Sequence, residues 1–224
     1  MLKKKIIQKL TKIVGEENIL TSPEDLTCYA YDAVNQKFCP EAVVFPGKAE
    51  EIGAILKLAN QEQFAVIPRG AGSGFTGGSL AVLGGVILVT SRLNQIIEID
   101  PDNLTAIVEP GVVCGEFQRE VEKYGLYYPP DPASLAFSTL GGNVAECAGG
   151  PSALKYGVTR DYVTGLEVVL PTGEVITTGV RTRKGVVGYD LTRLIVGSEG
   201  TLAVITKVYL RLIPKPLSSI TLMA

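Results

Sequence analysis

The sequence predicts an α+β chain built as two subdomains, and three observations carry that expectation. An apolar strand, an amphipathic helix and a second apolar strand follow one another with short joins between Glu41 and Gly70, the order of a parallel βαβ unit. Beyond Leu93 the pattern changes to strand-like stretches joined by tight turns, which pair antiparallel. Glycine is the third observation: 25 of 224 residues, against a usual ~7%, gathered in three clusters. The expected division is residues 1–93, an N-terminal subdomain, and 94–216, a second one, with 217–224 as the start of a further domain.

Each element has a local cause. "LKKKIIQKLTKIVG" puts Leu2, Ile6, Leu10 and Ile13 on one helical face with lysines opposite, which suits a membrane surface or a docked surface helix. "TSPEDLTCYAYDA" restarts a helix, with Ser22 as N-cap, Pro23 at the first position and Asp25 in the first turn. "EAVVFPG" reads as a buried strand, and "KAEEIGAILKLANQEQ" carries Ile52, Ile55, Leu56 and Leu58 at helical spacing. "FAVIPRG" is the strand that completes the βαβ unit. "GVILVT", "NQIIEID" and "TAIVEPG" are strands, and "GEFQREVEKYG" is a helix stopped by Gly125. "LEVVLPTGEVITTG" is a hairpin turned at Pro171-Thr172-Gly173, and "LAVITKVYLRLIP" is a last strand.

Composition removes several classes of function. Hydrophobic content of 46% with 20% charged residues is ordinary for a soluble globular protein. A formal charge of −2 carries no basic face for nucleic acid. Histidine is absent, which excludes Ser-His-Asp and Cys-His nucleophile systems and histidine-based zinc sites. Cys28, Cys39, Cys114 and Cys147 form no C-x-x-C pair and read as reduced, mostly packed thiols in a cytoplasmic protein, with no metal site. The 22 residues from Gly70 to Ser91 carry no charge, but seven are glycines, so no transmembrane segment is expected there.

The stretch "VIPRGAGSGFTGGSL" holds five glycines in fifteen residues and a G-x-G-x-x-G at Gly72, Gly74 and Gly77. A Rossmann site needs a long helix directly after those glycines. Only a few residues separate Gly78 from "GVILVT", and no crossover helix fits. A Walker loop fails because no G-K-[ST] follows. The glycines are therefore expected to serve phosphate through main-chain N–H groups of an extended loop. A second cluster, Pro129 to Gly150, has a proline-rich start that is expected to run extended, and its Gly141-Gly142 allow close approach. A third, "VGSEGTLAVIT", turns at Glu199-Gly200 into a strand. Three bare stretches of backbone suggest one long ligand with an anionic middle, lying between the subdomains.

Taken in order, "PRGAGSGFTGGSL", "PPDPASLAFSTLGGNVAECAGGPSALKYGVTRDYVTGLEVVLPTGE" and "GYDLTRLIVGSEGTLAVITKVYLRLIPKP" resemble the PCMH-type FAD-binding domain of the vanillyl-alcohol-oxidase flavoproteins. Within it they resemble the branch of glycolate oxidase GlcD subunits and D-lactate or D-2-hydroxyacid dehydrogenases, over essentially the whole chain. The resemblance implies a two-subdomain FAD-binding fold, non-covalent FAD, and oxidation of a small 2-hydroxy acid to the 2-oxo acid with hydride passing to flavin N5. It also implies an electron-accepting partner subunit, an iron–sulfur or electron-transfer flavoprotein. Carried over by position, Pro68, Arg69, Gly70, Ala71, Gly72, Ser73 and Gly74 wrap the pyrophosphate, with Gly77, Gly78 and Ser79 closing the loop. Pro130, Asp131, Ser134, Thr139, Gly141, Gly142, Ala145, Gly149, Gly150, Tyr156 and Gly157 line the flavin and ribityl regions. Glu199, Gly200, Val204 and Ile205 complete the set.

Three of these residues keep a plainer alternative: Asp131 as a turn former, Tyr156 as core, and Glu199 as the partner of an arginine. No catalytic residue is assigned, and Arg160, Arg181 and Arg183 receive no role. The chain departs from the family pattern at Cys147, where asparagine is common, and at "KGVVGYD", where the family has "KNVAGYD". The family's substrate domain, with its histidine-rich motif, would follow this stretch. A second expectation is thus a flavin-binding module that turns over only with a partner carrying that domain.

Overall fold

The computed structural model describes residues 2–34, 36–182, 184–218 and 220. Arg183 lies outside the described residues, as do Ser219 and residues 221–224 of the segment read as the start of a further domain.

Helix α1 (Lys4–Val14) buries Ile6, Leu10 and Val14, one turn apart, and leaves Lys4, Lys5 and Lys12 exposed. Strand β1 (Ile19–Leu20) and the single-turn helix α2 (Pro23–Thr27) follow; the Ser22 side chain caps α2 by accepting from the Asp25 N–H. Strand β2 (Ala42–Val44), helix α3 (Ala49–Glu62) and strand β3 (Val66–Arg69) form the expected βαβ series. The apolar face of α1 packs on α3, where Lys9 donates to Glu62 at 2.5 Å. The docked-helix alternative therefore describes α1.

Strand β4 (Val86–Val89) pairs in parallel with both β2 and β3, giving the order β1-β2-β4-β3 with β1 antiparallel. The two strands of the βαβ unit are parallel, but they are not neighbours. Strand β4 separates them because it is buried on both faces: Val86 and Leu88 enter the core under α1 and α3, while Ile87 and Val89 face Leu26 and Val43. An unbroken apolar run of this kind suits the centre of a sheet rather than its edge.

The second sheet is antiparallel, in the order β5-β6-β10-β8-β9. Its strands are β5 (Ile96–Asp100), β6 (Thr105–Val108), β8 (Val163–Val169), β9 (Val175–Gly179) and β10 (Val204–Arg211). Between β6 and β8 lie helix α4 (Cys114–Glu122), strand β7 (Leu126–Tyr127), helix α5 (Leu140–Glu146) and helix α6 (Ala153–Tyr156). Helix α7 (Leu191–Ile195) precedes β10, and strand β11 (Ile213–Pro214) pairs with β7. The β8–β9 hairpin turns through Pro171–Gly173, closed by the Leu170 N–H donating to the Glu174 carbonyl at 2.8 Å. Phe117, Tyr128, Leu140, Leu166 and Leu210 fill this subdomain's core. Val169 and Val204 instead join the core under α3 and so tie the two sheets together.

After the proline-rich start at residues 129–132, which carries no helix or strand, the chain forms helix α5, an element the sequence did not predict. Its two glycines are poor helix formers. Against that, the Thr139 side chain accepts from the Gly142 N–H at 3.3 Å, and Leu140 and Val144, four apart, are fully buried. Cap and core packing together outweigh the propensity cost. The cysteine expectation needs correction. All four thiols are free, but Cys28 and Cys39 are exposed and only Cys114 is fully buried. Burial pushes the Cys114 thiol up to about 12. Iodoacetamide should therefore modify Cys28 and Cys39 readily and half-buried Cys147 more slowly, leaving Cys114 untouched until the chain is unfolded. Peptide mass spectrometry reads that order directly, and early alkylation of Cys114 would contradict the packing of α4.

Candidate functional site

A cavity of about 350 Å³ lies where the two sheets meet, within the usual range for small-molecule sites of ~300–1,000 Å³. Three separate stretches wall it. Pro68 and Arg69 end β3, and Gly70 through Gly74, with Gly78 and Ser79, come from the loop between β3 and β4. Ser134, Thr139, Gly141, Gly142 and Ala145 come from the approach to α5 and from α5 itself. Glu199, Gly200, Val204 and Ile205 come from the turn into β10. Far apart in sequence, these stretches share one hollow.

The remaining sequence-predicted residues stand outside the cavity wall, engaged with the protein. Gly77, at φ +78°, shapes the first loop, and its carbonyl accepts from the Leu80 N–H. The Pro130 carbonyl accepts from the Gln118 side chain at 3.0 Å. Asp131 accepts from both the backbone N–H and the hydroxyl of Ser152, the latter at 2.7 Å, and it crowds Gly150. Gly149 packs against Val158. Tyr156 stacks edge-on with Tyr127 and accepts at its carbonyl from the Tyr162 hydroxyl. Gly157, at φ +89°, ends α6. Asp131 thus ties the start of the second cluster to Ser152, 21 residues further on. Glu199 has no arginine in ion-pair range among the described residues; its N–H donates to the Ala145 carbonyl at 2.9 Å.

Close approach is built into this wall. A side chain at Gly70 would collide with the Thr139 hydroxyl, joining the first loop to the start of α5. A Cβ at Gly78 would stand 3.0 Å from the Glu199 carboxylate, so the first loop and the turn before β10 also meet closely. Under the loop the Arg69 side chain is 7% exposed, and Gly72, at φ +67°, sits directly on its guanidinium. Burial pulls the Arg69 pKa below its ordinary value, while the charge of Asp32 draws it back.

Sequence reasoning missed Phe75, Thr76, Thr90, Pro110, Ser138, Asn143, Glu146, Ala148 and Ala203, which also line the cavity. Most stand inside the glycine clusters, so proximity in sequence was their signal. Thr90 and Pro110 had none, since only the pairing of β4 and the turn after β6 bring them there. Glu146 accepts from the Thr76 hydroxyl at 3.2 Å. Burial and then the charge of Glu199 push the Glu146 carboxyl above its usual value, with Thr76 opposing. As pH falls through that raised value, the carboxyl gains a proton and the cavity loses a negative charge. An anionic ligand should then bind more tightly at mildly acidic than at neutral pH. Glu146→Gln removes the charge permanently; it should tighten FAD binding at neutral pH about threefold and flatten this pH dependence. A flavin titration at both pH values checks it, and weaker binding by the variant would instead show a carboxylate that accepts a ligand hydroxyl.

The donor set fits a dinucleotide. Ser138 Oγ is buried without a hydrogen-bond partner among the described residues. Asn143 Nδ2 has no oxygen acceptor, and only the Cys114 sulfur, a weak one, lies near it. Both residues line the cavity, so a ligand or water that enters it can complete them. Bare backbone at Gly70 and Gly72 leaves room for phosphate to reach the main chain.

Comparison with known proteins agrees with that chemistry. A family model described as an FAD binding domain matches residues 40–179. The chain is 47% identical over 225 aligned positions to the glycolate oxidase subunit GlcD of Bacillus subtilis, covering 100% of this chain and 48% of that protein. It is 41% identical to a D-lactate dehydrogenase of Anaerostipes hadrus, covering 94% of this chain and 45% of that one. It spans about half the length of these curated relatives. Among solved structures, alkyldihydroxyacetonephosphate synthase superposes with a TM-score of 0.84 at 26% identity, covering 97% of this chain and 40% of that one. Substrate-bound p-cresol methylhydroxylase gives 0.82 at 25%, covering 96% and 44%.

Proposed function

The chain belongs to the FAD binding domain family, and from that premise we propose that it is the cofactor-holding half of an enzyme that oxidises a small 2-hydroxy acid to the 2-oxo acid. One observation carries the reading. Three glycine-rich stretches converge on a single cavity, in a chain 41–47% identical to proteins named for glycolate and D-lactate. When bound, FAD supplies a two-electron acceptor for the hydride of the substrate carbinol carbon. The protein's part is to bind and orient. The backbone of Arg69 to Gly74 holds the diphosphate, and Gly141 and Gly142 admit the cofactor beside α5. Glu199, Gly200, Val204 and Ile205 close the opposite wall. On this reading the cofactor lies across two subdomains that divide near Leu93. The electron acceptor is a partner subunit, and the setting is a reducing compartment such as the cytoplasm, in keeping with four free thiols.

The absence of histidine from all 224 residues favours a second reading, a module that binds FAD but completes turnover only with a partner. One experiment separates the two. The purified chain is titrated with FAD, then glycolate, D-lactate or D-2-hydroxyglutarate is added without oxygen. Failure to bind FAD overturns both readings. Bleaching of the bound flavin by one of these acids establishes the first and names its substrate. Binding without bleaching supports the module.

A further inference from the structure

Arg69 has a burial that its own surroundings do not balance. Its guanidinium donates to the Tyr31 carbonyl at 2.7 Å and to the carbonyl and hydroxyl of Ser79, both at 3.3 Å. The ring of Tyr29 lies 5.8 Å away. These contacts satisfy N–H donors but supply no negative charge. Among the described residues no carboxylate stands within ion-pair distance of Arg69. Asp32, whose charge does act on it, is itself engaged in accepting from the Val34 N–H at 2.7 Å. A buried cation with no carboxylate in direct contact is costly to keep.

The charges around the cavity sharpen the question. Among the described residues that line it, Arg69 is the cation, and Glu146 and Glu199 are the carboxylates. An anionic ligand entering such a cavity meets two like charges and one opposite. The backbone at Gly72, itself part of the cavity wall, rests on that guanidinium. Its hydrogen bonds to Tyr31 and Ser79 hold the side chain in place.

We propose that the Arg69 guanidinium is a fixed cation that seats a diphosphate on the Gly70–Gly74 backbone from beneath, acting through the loop rather than by touching the ligand. This rests on the FAD reading and adds a positioning role for a side chain. It also explains why the loop tolerates two carboxylates beside it, Glu146 near Gly74 and Glu199 near Gly78: the buried charge offsets part of their repulsion of the phosphates.

The test compares wild type with Arg69→Met and Arg69→Lys by flavin titration, at low and raised NaCl, with inorganic pyrophosphate as competitor. Arg69→Met should weaken FAD binding at least about tenfold and flatten its salt dependence, while Arg69→Lys stays within about threefold of wild type. Pyrophosphate should displace FAD from wild type and from Arg69→Lys. If lysine falls as far as methionine, the side chain only shapes the loop and the proposal is overturned; it is overturned equally if methionine changes nothing. Circular dichroism shows whether Arg69→Met is folded. Where it is not, the wild-type arm decides: salt-sensitive displacement by pyrophosphate, and not by sulfate, supports the proposal, and its absence sinks it. A wild-type chain protected from heat by pyrophosphate but unable to bind FAD would refute the flavin reading and keep this one.

Discussion

Gly72→Ala should weaken FAD binding by about a hundredfold or more and leave the chain folded. The residue stands at φ +67°, a conformation that costs an L-residue roughly 1–2 kcal/mol. A Cβ there would overlap the Arg69 guanidinium. A long side chain usually yields to such a clash, but this one is 7% exposed and pinned to Tyr31 and Ser79. The loop must give way instead, and it is the loop whose N–H groups are assigned to the diphosphate. Stability should fall by about 2 kcal/mol, since the strain is confined to a surface loop. A flavin titration beside a urea denaturation curve separates the two effects. Affinity within threefold of wild type would show that the diphosphate is held elsewhere.

Gly141→Ala should act on the whole fold, lowering stability by about 3 kcal/mol. Gly141 is the second residue of α5, and its N–H donates to the Pro110 carbonyl at 2.8 Å. A Cβ would strike the Pro110 ring and stand 3.0 Å from both Pro110 Cα and its carbonyl oxygen. Pro110 has no room to retreat. The next residue, Gly111, donates to the Leu93 carbonyl at 2.6 Å, and a Cβ there would lie 2.5 Å from the Thr90 carbonyl. Helix α5, the turn after β6 and the end of β4 are packed backbone on backbone at this joint. The denaturation midpoint should drop with an unchanged slope, the mark of lost stability rather than an altered unfolded state. A loss below about 1 kcal/mol would show that α5 can slide away from the turn.

Much of the fold was legible because its causes are local. The alternation and turn residues around Pro171-Thr172-Gly173 specify a hairpin wherever it is placed, and Ser22 with Pro23 marks a helix start from four adjacent residues. Helix α5 was not legible, because "TLGGNVAE" has weak propensity and becomes helical only where Leu140 and Val144 find a core. The position of β4 was hidden for the same kind of reason. An apolar run shows that a strand is buried but not which neighbours bury it.

The candidate site divides along the same line. The sequence alone determined where backbone must come close to something, since a glycine cluster is a local statement about missing side chains. The order and wording of the three clusters also carried the resemblance to an FAD-binding domain family, and with it the class of that ligand. Only the tertiary structure decided that the three stretches share a cavity with Thr90 and Pro110 in its wall. It alone placed Asp131 on Ser152, paired Glu146 with Thr76, and set Arg69 beneath Gly72 without a carboxylate. Charge balance and burial depend on every segment that packs around a group, and such sums over distant parts of the chain are not written in any one stretch of it.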